Sequence, residues 1–134
     1  MPSQIHVPAV PAGWIVACLC ADWCDTCGSY RSSFDALARH NADIAFVWID
    51  IEDDSDWLGE VEVENFPTLL IAQQDRLLFF GPVLPQPEQA ARLLASLRSA
   101  PTPVTPAGPD LQALSARLLD AVRSGSLAPV RPPR

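Results

Sequence analysis

All four cysteines of the chain, Cys18, Cys20, Cys24 and Cys27, fall within ten residues. A disulfide-stapled secreted domain would spread its cysteines along the chain, so clustering points to chemistry at one place, either redox or metal. Cys24-Asp25-Thr26-Cys27 is a C-x-x-C element, a spacing that zinc sites and reactive dithiols share. Its placement favours redox. The pair follows an apolar run that reads as a strand, and it opens an amphipathic pattern that reads as a helix. Free backbone N–H groups and the macrodipole at a helix N-terminus stabilise a thiolate. Cys24 is then the exposed nucleophile, and Cys27 lies one turn inward, near enough to close a disulfide. That arrangement suits thiol–disulfide exchange through a mixed disulfide. A second feature lies 40 residues on, at Phe66-Pro67-Thr68, where a proline stands immediately before a strand. Proline lacks the N–H that a ladder uses. A cis Phe66–Pro67 bond would make a tight turn there and expose the Phe66 backbone beside Cys24.

The elements that must position these groups are legible in the hydrophobic pattern. Trp14 to Cys20 is an unbroken apolar run, as in a strand buried on both faces. Residues Asp25 to His40 place Tyr30, Phe34, Leu37 and Ala38 on one helical face, and Ile44 to Ile51 is a second buried strand. Strand, helix, strand makes a βαβ unit with a right-handed crossover. Asp50 to Glu64 holds eight acidic residues and predicts a solvated loop, with a short helix around Ser55 to Gly59 held by Trp57 and Leu58. The ordered spacing of a calcium-binding loop is missing from it. Thr68 to Ile71 and Leu77 to Phe80 form a hairpin, with five linking residues. Pro87 then suits the first turn of a helix to about Arg98. The order is βαβ, then ββα.

The chain has 134 residues, a net charge of −7, and nine basic residues that are all arginine. Its acidic balance argues against nucleic acid and anionic membranes as partners, and its longest clear apolar stretch is too short to span a bilayer. Residues 1 to 13 carry no basic leader signature, which points to a cytoplasmic location. Seven of the 14 prolines lie in residues 101 to 134. The predicted organisation is therefore a domain over 1–99, a proline-rich linker over 100–109, an amphipathic helix over 110–124 capped by Asp110, and a disordered tail over 125–134.

Taken together, Ala21, Trp23, Cys24, Cys27, the run Pro67-Thr68-Leu69-Leu70 and Gly81 make residues 13 to 98 resemble the thioredoxin family. The resemblance implies a three-layer α/β/α sandwich around a mixed sheet, trimmed at its N-terminus and carrying an extra C-terminal helix. It implies that Cys24 attacks a substrate disulfide, that Cys27 resolves the intermediate, and that Pro67 is cis. Trp23, Phe66, Pro67 and Thr68 would bind an extended substrate segment by short β-augmentation. No organic cofactor is implied beyond a redox-active Cys24–Cys27 disulfide. The implied partners are protein disulfides and an upstream reductase.

Several positions depart from the family pattern. Cys18 stands where typical thioredoxins bury a carboxylate that helps to deprotonate the second cysteine, so slower reduction is expected, and Cys18→Asp should turn over faster. Asp25 and Thr26 replace the usual Gly-Pro. A carboxylate beside the thiolate disfavours it, which predicts a weak oxidant or a reductant. Ser32 replaces a kinking proline. Cys18 and Cys20 project to one side of their strand and read as buried, inert thiols; an auxiliary thiol pair and a zinc or iron–sulfur site built from all four cysteines remain as alternatives. His6 and His40 read as surface residues. A different class of function also stays open: a binding or chaperone-like module with little redox turnover. The helix over 110–124 would then cover an exposed apolar surface or meet a partner, including a second copy.

Overall fold

The computed structural model describes residues 13–74, 76–103 and 108–130. The expectations for residues 1–12, including His6, and those for the middle of the linker and the last four residues lie outside the described residues. The elements run β1 (Trp14–Cys20), α1 (Asp25–His40), β2 (Ala45–Asp50), α2 (Ser55–Leu58), β3 (Thr68–Gln73), β4 (Arg76–Pro82), α3 (Pro87–Ser99) and α4 (Pro109–Ser124).

The four strands form one mixed sheet in the order β2-β1-β3-β4. β1 pairs parallel with β2, as a helical crossover between them requires; β3 is antiparallel to both β1 and β4. All seven residues of β1 are buried, which explains why its sequence is apolar without alternation. The β3–β4 hairpin is tighter than its sequence pattern implies. Gln73 pairs with Arg76, so the expected five-residue link shrinks to a two-residue turn, and Gln74 takes up a φ of 57° there. The polar residues Gln73 and Arg76 pair at the turn end of the hairpin, half-buried and exposed respectively, where polarity does not oppose strand structure.

The sheet has two differently built faces. Val16, Cys18, Cys20, Phe46, Leu69 and Ile71 meet α1 and α3 on one of them. Ile15, Ala17, Leu19, Val47, Ile49, Leu70 and Ala72 point the other way, towards Leu58 of α2 and Leu114, Leu118 and Val122 of α4. The apolar stripe of α4 thus lies against the sheet. Burying Leu114 and Leu118, both at 0% exposure, contributes about 1.5–3 kcal/mol each. The N-cap of α4 is Gly108 with Pro109 in the first turn, so Asp110 is a first-turn acid beside the positive end of the helix dipole and not its cap.

Residues 125–130, whose composition reads as a disordered tail, have definite contacts instead. Gly125 turns left-handed at φ 84° and closes α4. The Leu127 N–H then donates to the Ala121 carbonyl at 3.1 Å, and the Val130 N–H donates to the Phe46 carbonyl at 2.6 Å. Leu127 packs on the α4 side of the sheet and Val130 on the α1 side. This short segment therefore rounds the β2 edge, giving Phe46 a backbone partner there. Two isolated apolar residues carry no periodicity, so this docking was invisible in the sequence.

Candidate active site

β1 delivers its last residue, Cys20, to the α1 side of the sheet, and the chain turns at once through Ala21 to Cys24. The Cys24 N–H donates to the Ala21 carbonyl at 3.0 Å, fixing that turn. Cys24 is the N-cap residue of α1, extended at φ −93° and ψ 116°, with its side chain half-buried. Cys27 lies in the first helical turn and continues inward as a buried stripe with Tyr30, Phe34 and Leu37. Asp25 and Thr26, on the opposite side of that turn, are exposed. Asp25 sits in the first turn, beside the positive end of the helix dipole, where a helix favours an acid.

Among the sulfurs, Cys27 is bonded to Cys20, with their Cα atoms 5.8 Å apart. Cys18 and Cys24 are free. The expected Cys24–Cys27 disulfide is therefore not the one present, and Cys20 is not an inert thiol. The reason is packing. Cys20 faces α1 by the alternation of β1, Cys27 faces β1 by the periodicity of α1, and the helix crosses the strand end where the two meet. Both periodicities were readable, but the approach of helix to strand was not. With two of the four sulfurs joined to each other, the four cysteines do not present a set of four thiolates to a metal.

Cys18 is fully buried, and its Sγ lies 3.7 Å from the Cys20 Sγ. Burial pushes its thiol well above the ordinary cysteine range, opposed only in part by the charge of Arg31. Tyr30 is pushed up to about 12, first by burial and then by Cys18. Cys18 is thus held as a neutral thiol. Ser32 is exposed, and α1 runs unbroken across it.

The second motif closes over the first. The Phe66–Pro67 peptide bond is cis. Pro67 and Thr68 are buried, with the Pro67 carbonyl accepting from the Val83 N–H at 3.0 Å and the Thr68 hydroxyl donating to the Asn65 carbonyl at 2.6 Å. The rings of Trp23 and Phe66 meet edge to face at 5.5 Å, so the residue before Cys24 touches the residue before Pro67. Trp23 is nevertheless 63% exposed, leaving an apolar surface beside Cys24.

The acidic segment is organised as a turn. Asp22, Asp50 and Asp53 bring carboxylate oxygens within 4.8 Å of one another. Asp50 Oδ1 already accepts the Glu52 and Asp53 N–H groups at 2.8 and 2.9 Å. His40 is exposed, and its Nδ1 is 2.9 Å from the Ala36 carbonyl.

The sequence profile of the thioredoxin family matches residues 7–81, more than half of the chain. The chain belongs to the thioredoxin family. A thioredoxin of Echinococcus granulosus is 33% identical over 51 residues, which is 38% of this chain and 48% of the relative, so the match spans about half of that protein. Among solved structures, the germline-specific thioredoxin Deadhead of Drosophila melanogaster superposes with a TM-score of 0.57 at 23% identity, covering 64% of this chain and 82% of that one. A thioredoxin from Nicotiana alata superposes with a TM-score of 0.57 at 25% identity, covering 63% and 73%. These likenesses carry the fold of this thioredoxin-family chain: a mixed four-stranded sheet between helical layers, with an added C-terminal helix. Among its described residues, no helix is long and apolar enough to cross a membrane.

Proposed function

We propose that the protein is a thiol–disulfide oxidoreductase that reduces disulfides in protein substrates, with Cys24 as nucleophile and Cys27 as resolving thiol. The observation that carries this reading is the position of Cys24. It is free and half-buried at the N-terminus of a 16-residue helix, with Cys27 one turn behind it and an exposed indole beside it. In the reduced protein, the Cys24 thiolate attacks one sulfur of the substrate disulfide, and the other sulfur leaves as a thiolate. Cys27 then attacks the Cys24 sulfur, the substrate's remaining sulfur leaves, and a Cys24–Cys27 disulfide is formed. Two electrons pass from the dithiol to the substrate, and an upstream reductase must restore them.

Trp23 and Phe66 supply the apolar wall against which a substrate segment lies, and the backbone around Phe66, Pro67 and Thr68 offers it hydrogen bonds. Asp25 and Thr26 tune Cys24 from the exposed side, and Cys18 tunes Cys27 from within by filling a place where a base would act. The Cys20–Cys27 bond gives one specific reason to keep a second reading, a binding or chaperone-like module with little turnover, because it withholds the resolving thiol. Reduction of insulin disulfides by the fully reduced protein decides between the two. The wild type should turn over, Cys24→Ser should fall to the uncatalysed background, and Cys27→Ser should accumulate a stable mixed disulfide on Cys24. A wild type as slow as Cys24→Ser would overturn the oxidoreductase reading.

A further inference from the structure

The four sulfurs form a series running from the surface into the core. Cys24 lies outermost at the helix terminus, Cys27 one turn behind it, Cys20 bonded to Cys27 at the end of β1, and Cys18 two residues further back along the strand. Cys27 stands between two cysteines, one on its own helix and one on the sheet. We propose that Cys20 is a third exchanging thiol of this centre, and that Cys27 switches its disulfide partner between Cys24 and Cys20. The inward pairing leaves an oxidised protein whose Cys24 remains a free thiol. This rests on the reading of Cys24 and Cys27 as an exchange site.

The switch needs no external oxidant. From the Cys24–Cys27 disulfide left by substrate reduction, the Cys20 sulfur attacks the Cys27 sulfur. The Cys20–Cys27 bond forms, the Cys24–Cys27 bond breaks, and Cys24 departs as a thiolate that takes up the proton lost by Cys20. The number of disulfides and electrons in the protein is unchanged. In this state Cys24 still attacks a disulfide R–S–S–R′, forming Cys24–S–S–R and releasing R′–S⁻. Cys27 cannot resolve the adduct, so it persists until a small external thiol attacks the R sulfur and frees Cys24. The same centre therefore works as a dithiol when Cys20 and Cys27 are reduced and as a monothiol when they are joined.

The series stops at Cys20 for a geometric reason. Cys18 and Cys20 lie two residues apart on the same face of one extended strand, their sulfurs 3.7 Å apart and unbonded, and a disulfide between such neighbours would strain the flat strand. Desolvation also keeps Cys18 protonated and so a poor nucleophile.

Three aspartates, Asp22, Asp25 and Asp35, make the pairing directly readable. Cleavage on the N-terminal side of aspartate separates residues 1–21, carrying Cys18 and Cys20, from residues 22–24, carrying Cys24, and residues 25–34, carrying Cys27. The full-length protein is equilibrated in glutathione buffers from reducing to oxidising, free thiols are alkylated under acid quench, and the fragments are weighed. The expected oxidised form joins 1–21 to 25–34 and carries an alkylated 22–24. The Cys18→Ala variant keeps that link, which assigns it to Cys20, and Cys24→Ala, altered only at the helix end, keeps it as well. In Cys20→Ala the link moves to 22–24 with 25–34, and alkylation of Cys24 is lost.

A wild type that joins 22–24 to 25–34 under all oxidising conditions, with Cys20 alkylated, overturns the switch and leaves the dithiol reading intact. A 1–21 to 25–34 link in a protein whose reduced form cannot reduce insulin disulfides overturns both, because the bond is then only a structural crosslink.

Discussion

The two faces of the sheet are made from the same strands and do different things. On the α1 and α3 side, β1 presents Cys18 and Cys20, α1 adds Cys27, and Phe34 stacks edge to face on both Phe46 and Trp48 at about 5.5 Å. On the α2 and α4 side the facing residues are almost entirely aliphatic, and α4 closes them from far along the chain. Polarizable sulfur and aromatic groups thus gather on the face that holds the cysteines, and plain hydrocarbon fills the layer under α4. A division of this kind predicts that stability and chemistry are separable, and substitutions on each side should show it.

The largest effect belongs to the aliphatic face. Leu118→Ala removes a fully buried side chain beneath the sheet and should cost about 2–5 kcal/mol of stability by denaturant unfolding. The kcat of the fraction that remains folded should be unchanged. A fall in kcat without a fall in stability would mean that the faces are coupled.

Ser115→Ala should act in the opposite direction on the same face. Its hydroxyl is fully buried and has no hydrogen-bond partner among the described residues, so deleting it should raise stability by roughly 1–3 kcal/mol, read as a higher denaturation midpoint.

On the chemical face, Trp23→Ala should reverse the pattern. The exposed indole contributes little to the core, so the melting temperature should hold. KM for a protein disulfide should rise roughly fivefold, which corresponds to about 1 kcal/mol of lost apolar contact. A small disulfide reagent that needs no docking surface should react at an unaltered rate.

The smallest effect lies at the end of α1. Arg98 of α3 donates to Asn41 Oδ1 at 2.8 Å and pairs with Asp43, and its hydrogen bond holds the Asp43 carboxyl below the usual carboxylate range. Because the folded-state pKa is the lower one, the pair stabilises the protein above the unfolded value, and that stabilisation is lost as pH falls through the folded value. Asp43 is half exposed, so solvent screening limits the contribution to at most about 1 kcal/mol. Asp43→Asn should be less stable than the wild type near neutral pH, and the gap should close in strong acid.

Much of this protein was determined by the sequence itself, because the signals were local. The apolar run of β1, the 3.6-residue stripe of α1 from Cys27 to Leu37, and the proline at the start of β3 each fix an element from neighbouring residues alone. Cys24 at the mouth of a helix and Cys27 on its inner face follow from the same periodicity.

Tertiary structure decided what depended on how elements approach one another. The partner of Cys27 is Cys20 because α1 crosses the end of β1 with their Cα atoms 5.8 Å apart, a distance set by side-chain packing across the whole face. The stripe on α4 was legible, but nothing in it said which surface it would cover. That was settled by the second sheet face, whose exposed hydrocarbon gains most by burial under the nearest apolar helix the chain can supply.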